Sequence, residues 1–174
     1  MFPYLVLTPN GPPVGHGLFV QLFEDSESAL GLIHAPISSK QLEDARLDAE
    51  GALSIALENL ARFADESPAL SIQVLGNPGD AVHFLLYSDH PRAASCLLLP
   101  DLFEHACEVL QATELMACVP QRESLVVFPI RDRAFREGLV KRLREMEADA
   151  AWPLTFELFE LGAGIVTPFH EAEL

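Results

Sequence analysis

The stretch from Cys96 to Arg144 constrains the fold more than any other, because its hydrophobic periodicity changes repeatedly over a short span. An apolar run, Cys96-Leu97-Leu98-Leu99, stops at Pro100-Asp101, and the residues from Leu102 to Leu110 then space their apolar positions as a helix does. Proline fits the start of a helix because its missing N–H is not needed there, and an aspartate beside it can cap the first turn. A helix is therefore expected over 101–111, with a strand over 93–99 leading into it. Two short apolar runs, Leu115 to Val119 and Leu125 to Pro129, flank a polar turn at Pro120 to Ser124 and predict a hairpin. Asp132 then caps a charged helix in which Phe135, Leu139, Leu143 and Met146 form one apolar stripe. Hairpins pair antiparallel, and amphipathic helices must cover an apolar sheet face. The expected class is α+β: an antiparallel sheet built from β-hairpins, with three or so amphipathic helices packed mainly on one face.

The same signals extend upstream and downstream. Tyr4 to Thr8 reads as a short strand, followed by a segment to Gly17 that holds three prolines and three glycines and must be loop. Leu18 to Phe23 and Ala29 to Ala35 read as a strand pair turning at Glu24 to Ser28. Ser38 with Gln41 has the form of a capping box, Asp48 can cap a second helix, and Gly51 is expected to divide a short helix from a longer one. Leu53, Leu57, Leu60 and Ala64 mark the buried face of the longer one. Leu70 to Leu75 and Ala81 to Tyr87 form a further strand pair around a dense turn, and Thr155 to Phe159 and Ile165 to Thr167 are short terminal strands. The chain is expected to be one domain over 1–174, with an N-terminal strand and Pro/Gly-rich loop at 1–17 and a frayed acidic tail at 168–174. A loose unit of strands followed by a helix recurs over 18–64, 70–111 and 115–147, although the letters themselves do not repeat.

Composition narrows the partners. Hydrophobic residues make up 49% and charged residues 21% of the 174, a balance that supports a folded core rather than disorder. The formal charge of −15 repels nucleic acid and anionic membrane surfaces at long range, so neither is an expected partner. The cysteines Cys96, Cys107 and Cys118 lie among apolar neighbours without zinc-ligand spacing and read as reduced core thiols. The N-terminus lacks a basic leader, and no apolar run approaches a membrane span of about 18 residues. A cytoplasmic bacterial protein without a cofactor or metal is expected.

No pattern of a known reaction stands out, and no residue is assigned a catalytic role. The six histidines have no metal-binding spacing, and His83 is expected to be a sheet residue sharing a face with Leu85 and Tyr87. Asp89, His90 and Arg92 are the nearest thing to an acid/base cluster, and they define the alternative reading of an enzyme of unknown reaction; capping residues of a solvated turn are the plainer account. Six of the eleven basic residues fall in one helix-length segment: Arg131, Arg133, Arg136, Lys141, Arg142 and Arg144. A solvated helix face with i, i+4 partners explains such a cluster, while contact with an acidic protein surface or a second copy of the chain is the functional alternative. Arg131, Arg133, Arg136, Lys141 and Arg144 are accordingly the candidate binding residues, with an anion-binding module as a further alternative. The function expected from these features is a non-enzymatic acidic protein-binding module, a chaperone, adaptor or immunity-type inhibitor, with a homodimer as a possible state.

Ala56-Leu57-Glu58-Asn59-Leu60, the run from Ala94 to Phe103 and the run from Val119 to Phe128 together resemble the YtpQ-like family of uncharacterised bacterial proteins, over roughly residues 18–130. That resemblance implies an α+β fold and a cytosolic protein and carries no activity. The 8–17 loop and the arginine-rich helix depart from it. The order of helices and strands from 49 to 147, on a small acidic chain, is also similar to that of type III secretion chaperones, which bind partner polypeptides as dimers; element order alone does not establish function.

Overall fold

The computed structural model describes residues 1–7, 11–28, 31–78, 80 and 83–170, with the backbone alone described at 26–28 and 31–34. Parts of the expected 8–17 loop, the expected strands at 29–35 and 81–87, and the acidic tail fall outside the described residues. The fold is α+β, with ten strands and four α-helices among the described residues. Strands β1 (Phe2–Val6), β2 (Pro13–Gly15), β3 (Leu18–Ser28) and β4 (Gly31–Pro36) form a first antiparallel sheet, in which β3 pairs with the other three. Helices α1 (Ser39–Asp44) and α2 (Ala49–Glu66) follow. Strands β5 (Ser71–Leu75), β6 (Phe84–Ser88), β7 (Leu115–Gln121), β8 (Ser124–Pro129), β9 (Leu158–Gly162) and β10 (Ile165–Pro168) make a second sheet in the order β10-β9-β7-β8-β6-β5. Helix α3 (Leu102–Leu110) connects β6 to β7, and α4 (Arg133–Met146) connects β8 to β9.

Along β7 and β8 the two-residue period divides one apolar sequence between two cores. Leu115, Ala117, Val119, Leu125 and Val127 join Leu5, Leu18, Leu60 and Leu97 in the main core, together with α2 and α3. Met116, Cys118, Val126 and Phe128 point the other way, into a smaller cluster closed by Leu143, Phe135 and Leu139 of α4. Both faces of the second sheet are therefore apolar, which is why these strands carry almost no polar residue. Two of the three longer helices share one core, and α4 alone covers the opposite face.

The helix starts follow the expected chemistry. Ser38 and Gln41 form a reciprocal capping box on α1, and the carboxylates of Asp48 and Asp132 accept from the backbone N–H of Gly51 and Phe135, both at 2.8 Å. The first two helices divide at 45–48, where Arg46 takes a left-handed φ of 57°, and not at Gly51, which lies in the first turn of α2.

Further expectations are corrected: within the expected loop at 8–17, Pro13–Gly15 pairs with β3 as strand β2, and in the expected frayed tail Pro168 still pairs with Phe159 while the Phe169 N–H donates to the Leu158 carbonyl, because β3 and β9 offer free ladder positions there. Residues 93–99 are not a strand: Ala94–Leu98 is a 3₁₀ helix, and both edges of the preceding strand β6 are already paired, by β5 and β8, so the segment cannot pair back onto it. The expected turn at 24–28 is the second half of β3, which pairs with β4 from Phe23↔Pro36 to Ser28↔Gly31. Asp25 is held there by the Tyr4 hydroxyl and Arg92, tertiary partners that no local pattern reveals. The strand expected at 155–159 is displaced to β9, where it pairs with β7.

Candidate groove between helix α4 and the second sheet

Helix α4 lies over the sheet without closing on it. Of its residues only Leu143 is buried, and Met146 is 77% exposed. Beneath the helix a groove of about 630 Å³ opens, with a floor of Leu75, Phe84, Leu86 and Val126 and a wall of Phe135, Gly138, Leu139, Leu143 and Met146. The floor follows from strand geometry, since Phe84 and Leu86 project opposite to the core-facing Leu85 and Tyr87. The gap follows in part from Gly138, which brings no side chain to the contact; a Cβ added there would meet nothing within 4 Å. A volume of this size, mostly apolar with a few polar groups at its mouth, is typical of ligand-binding clefts.

The mouth is acidic. Asp89, Glu123 and Glu147 line it with a single cation, Arg142. The Gln121 side-chain amide donates to the Glu147 carboxylate. Burial raises the Glu147 carboxyl above the ordinary glutamate range, and the neighbouring charge of Glu123 adds to the rise. Asp89 sits at a left-handed φ of 67° just after β6, and its carboxylate accepts from the Ser88 hydroxyl at 3.1 Å.

The structure scatters the Asp89, His90 and Arg92 cluster. Asp89 turns to the groove, while the His90 ring packs tilted at 45° against Phe63, with centroids 4.5 Å apart, and its Nδ1 accepts from the Arg92 backbone N–H. Arg92 is buried. Its Nε and Nη2 both donate to Asp25 Oδ2, at 3.0 and 2.5 Å, and the Tyr4 hydroxyl donates to the same oxygen at 2.8 Å. The guanidinium lies between two rings, 3.4 Å from the Phe2 centroid and 4.4 Å from that of Phe63. Burial and the Asp25 carboxylate raise the Tyr4 phenol well above its ordinary range, so Tyr4 stays a donor. The three side chains do not converge on one point where a substrate could sit; Arg92 ties β3 of the first sheet to the turn that follows β6 of the second.

The arginine helix divides between surfaces. Arg142 reaches the groove, whereas Arg133, Arg136 and Arg144 line a shallower cleft of about 230 Å³ on the other flank of α4, with Glu137, Glu157 and Phe169. Arg133 pairs with Glu137 at 2.8 Å with both side chains exposed, the i, i+4 geometry of a solvated face. Arg136 donates to the Arg131 carbonyl and lies over Phe169, Arg144 lies over Phe156, and Arg131 donates to the Asp80 carbonyl at 3.3 Å. Lys141 is exposed and lines neither cleft.

His83 is buried, with Nε2 3.0 Å from the Leu110 carbonyl oxygen. Burial pushes the Cys96 and Cys118 thiols up to about 12. Among the described residues no group of three or more His, Cys, Asp or Glu side chains could hold a metal ion, and no helix is long and apolar enough to cross a membrane. Sequence reasoning missed Leu75, Phe84, Leu86, Glu123 and Glu147 as site residues. The usable signal was a glycine inside the apolar stripe of α4, opposite strands apolar on both faces. Ala56, Leu60, Cys96 and Leu97 all lie in the main core, while Gln121, Glu123, Ser124 and Val126 of the 119–128 run line the groove. No family model, no curated protein and no solved structure matches this chain.

Proposed function

We propose that this chain is a non-enzymatic cytoplasmic binding protein of a bacterium, and that the groove under α4 receives an apolar segment, flanked by basic residues, from a partner polypeptide. The reading covers a chaperone, an adaptor or an immunity-type inhibitor. The observation that carries the reading is the groove itself: an apolar trough of about 630 Å³ whose mouth carries three carboxylates and one guanidinium. Apolar side chains entering it are removed from water at about 25 cal/mol per Å². Lysine or arginine beside them meets Asp89, Glu123 and Glu147, on a molecule whose net charge of −15 draws cations and repels nucleic acid. An i, i+3, i+4 pattern of apolar anchors on a basic helix has the matching chemistry.

The test measures binding of an amphipathic basic peptide, and of its acid-substituted counterpart, by calorimetry. Gly138→Leu places a side chain in the open groove at a helical position where glycine is unfavourable by about 1 kcal/mol. It is expected to weaken the basic peptide by at least about tenfold, ~1.4 kcal/mol, with melting temperature kept or raised. Equal binding of both peptides, or wild-type affinity in Gly138→Leu, would refute the reading.

A further inference from the structure

We infer that strand β5 is a self-association edge, through which two copies of the chain join their second sheets into one continuous sheet. The inference is independent of the groove reading. The two ends of that sheet differ. At one end β10 carries Pro168, which packs so closely on β2 that a Cβ added to Gly15 would come within 2.2 Å of the proline ring. Proline and a covering strand are the usual means of blunting a sheet edge. At the other end β5, Ser71-Ile72-Gln73-Val74-Leu75, has no proline, charge or register shift, and among the described residues nothing pairs with its outer side. Among the described residues, no backbone hydrogen bond from these five leaves the β5–β6 ladder. Alternate N–H and C=O groups of such a strand point outward and template another strand.

The side chains specify what that strand is. Ile72 and Val74 share a face, opposite Tyr87 and Leu85 of β6, yet they are 41% and 45% exposed. No ionisable side chain occurs from Ser67 to Gly79, so this edge gives a basic partner nothing to recognise. For two molecules of charge −15, it is a surface along which they can approach without setting carboxylates against each other.

The edge is also complementary to itself. In an antiparallel pair with a two-fold axis at Gln73, Ile72 of each copy lies opposite Val74 of the other, which buries four β-branched side chains in one cluster. The axis runs through the sheet, so both copies present the same face. The two α4 grooves, each bordered by its own Leu75, then open on one side of the joined sheet. Five residues per copy make a small interface, so association is weak and concentration-dependent.

Sedimentation velocity from micromolar to near-millimolar protein tests the inference. A monomer–dimer equilibrium is expected, and Ile72→Lys with Val74→Lys should weaken it by at least about tenfold, although two added cations lower the net repulsion between copies. Register is tested by oxidation in a Cys107→Ser background, where the remaining thiols, Cys96 and Cys118, are buried. Gln73→Cys sits opposite itself and should form a disulfide-linked dimer. Ile72→Cys should not, since its counterpart lies farther away than the roughly 7 Å that a disulfide spans. A monomer at every concentration, a dimer indifferent to the lysines, or equal cross-linking at 72 and 73 would overturn it.

Discussion

Replacing Arg92 by methionine removes the charge that joins the two sheets while keeping the aliphatic stem. Both partners are shielded from water, with side chains only 8% and 2% exposed for Arg92 and Asp25, so the pair belongs to the buried class, where solvent screening is weak. Taking one partner from such a pair costs about 3–5 kcal/mol, because the other charge stays in the interior. The guanidinium also lies over Phe2 and Phe63, contacts that contribute about 0.5–1 kcal/mol each. The expected loss is therefore about 4–7 kcal/mol, against a total stability of about 5–15 kcal/mol for a domain. At roughly 2–4 °C per kcal/mol, the melting temperature should fall by about 8–28 °C. Urea unfolding of Arg92→Met, Asp25→Asn and the double variant closes a thermodynamic cycle. The double variant should be less destabilised than the sum by about 2 kcal/mol, since a neutral residue 25 no longer needs the cation. A loss below about 1.5 kcal/mol for Arg92→Met, or additivity within about 0.5 kcal/mol, would refute this account of how the sheets are joined.

Glu147 gives a pH signature of the groove mouth. Its folded-state carboxyl is raised, so the folded protein holds a proton that the unfolded chain has already released; stability conferred by that proton is full below the ordinary glutamate range and falls as pH rises through the raised value. Glu147→Gln should flatten the dependence of the urea midpoint on pH across that window, and an unchanged slope would show that another group titrates there. The thiols should also divide in reactivity. Burial holds Cys96 and Cys118 up at about 12, whereas Cys107 is part-exposed, so a disulfide reagent at mildly alkaline pH should modify one thiol quickly in the native protein and all three only after unfolding.

Much of the local structure was legible because its causes are local. Ser38 with Gln41, and the carboxylates of Asp48 and Asp132, start helices with hydrogen bonds that reach only three residues along the chain. The stripe Phe135, Leu139, Leu143 and Met146 marked the face that α4 turns toward the sheet, and the apolar runs at 115–119 and 125–129 marked the central hairpin. Residues 93–99 were misread because small side chains and leucines, none of them β-branched, suit a strand and a 3₁₀ turn alike. The free ladder positions decided between them, and those depend on β5 and β8, which lie far off in sequence. Asp25 looked like a turn residue for the same reason: its partner Arg92 is 67 positions away.

The candidate site shows that division most plainly. Composition and charge determined that this chain folds and carries a net charge of −15, and the order of residues determined its α+β class and where its helices and strands begin. Neither could show that Gly138 would line one trough with Phe84 and Leu86, nor that Asp89 and Arg92, three residues apart, would point one into that trough and the other into an ion pair. Periodicity and capping act between neighbours and can be read from the letters. A cleft, a buried pair and an open sheet edge depend on which distant segments come to lie side by side, and that is settled only when the whole core closes.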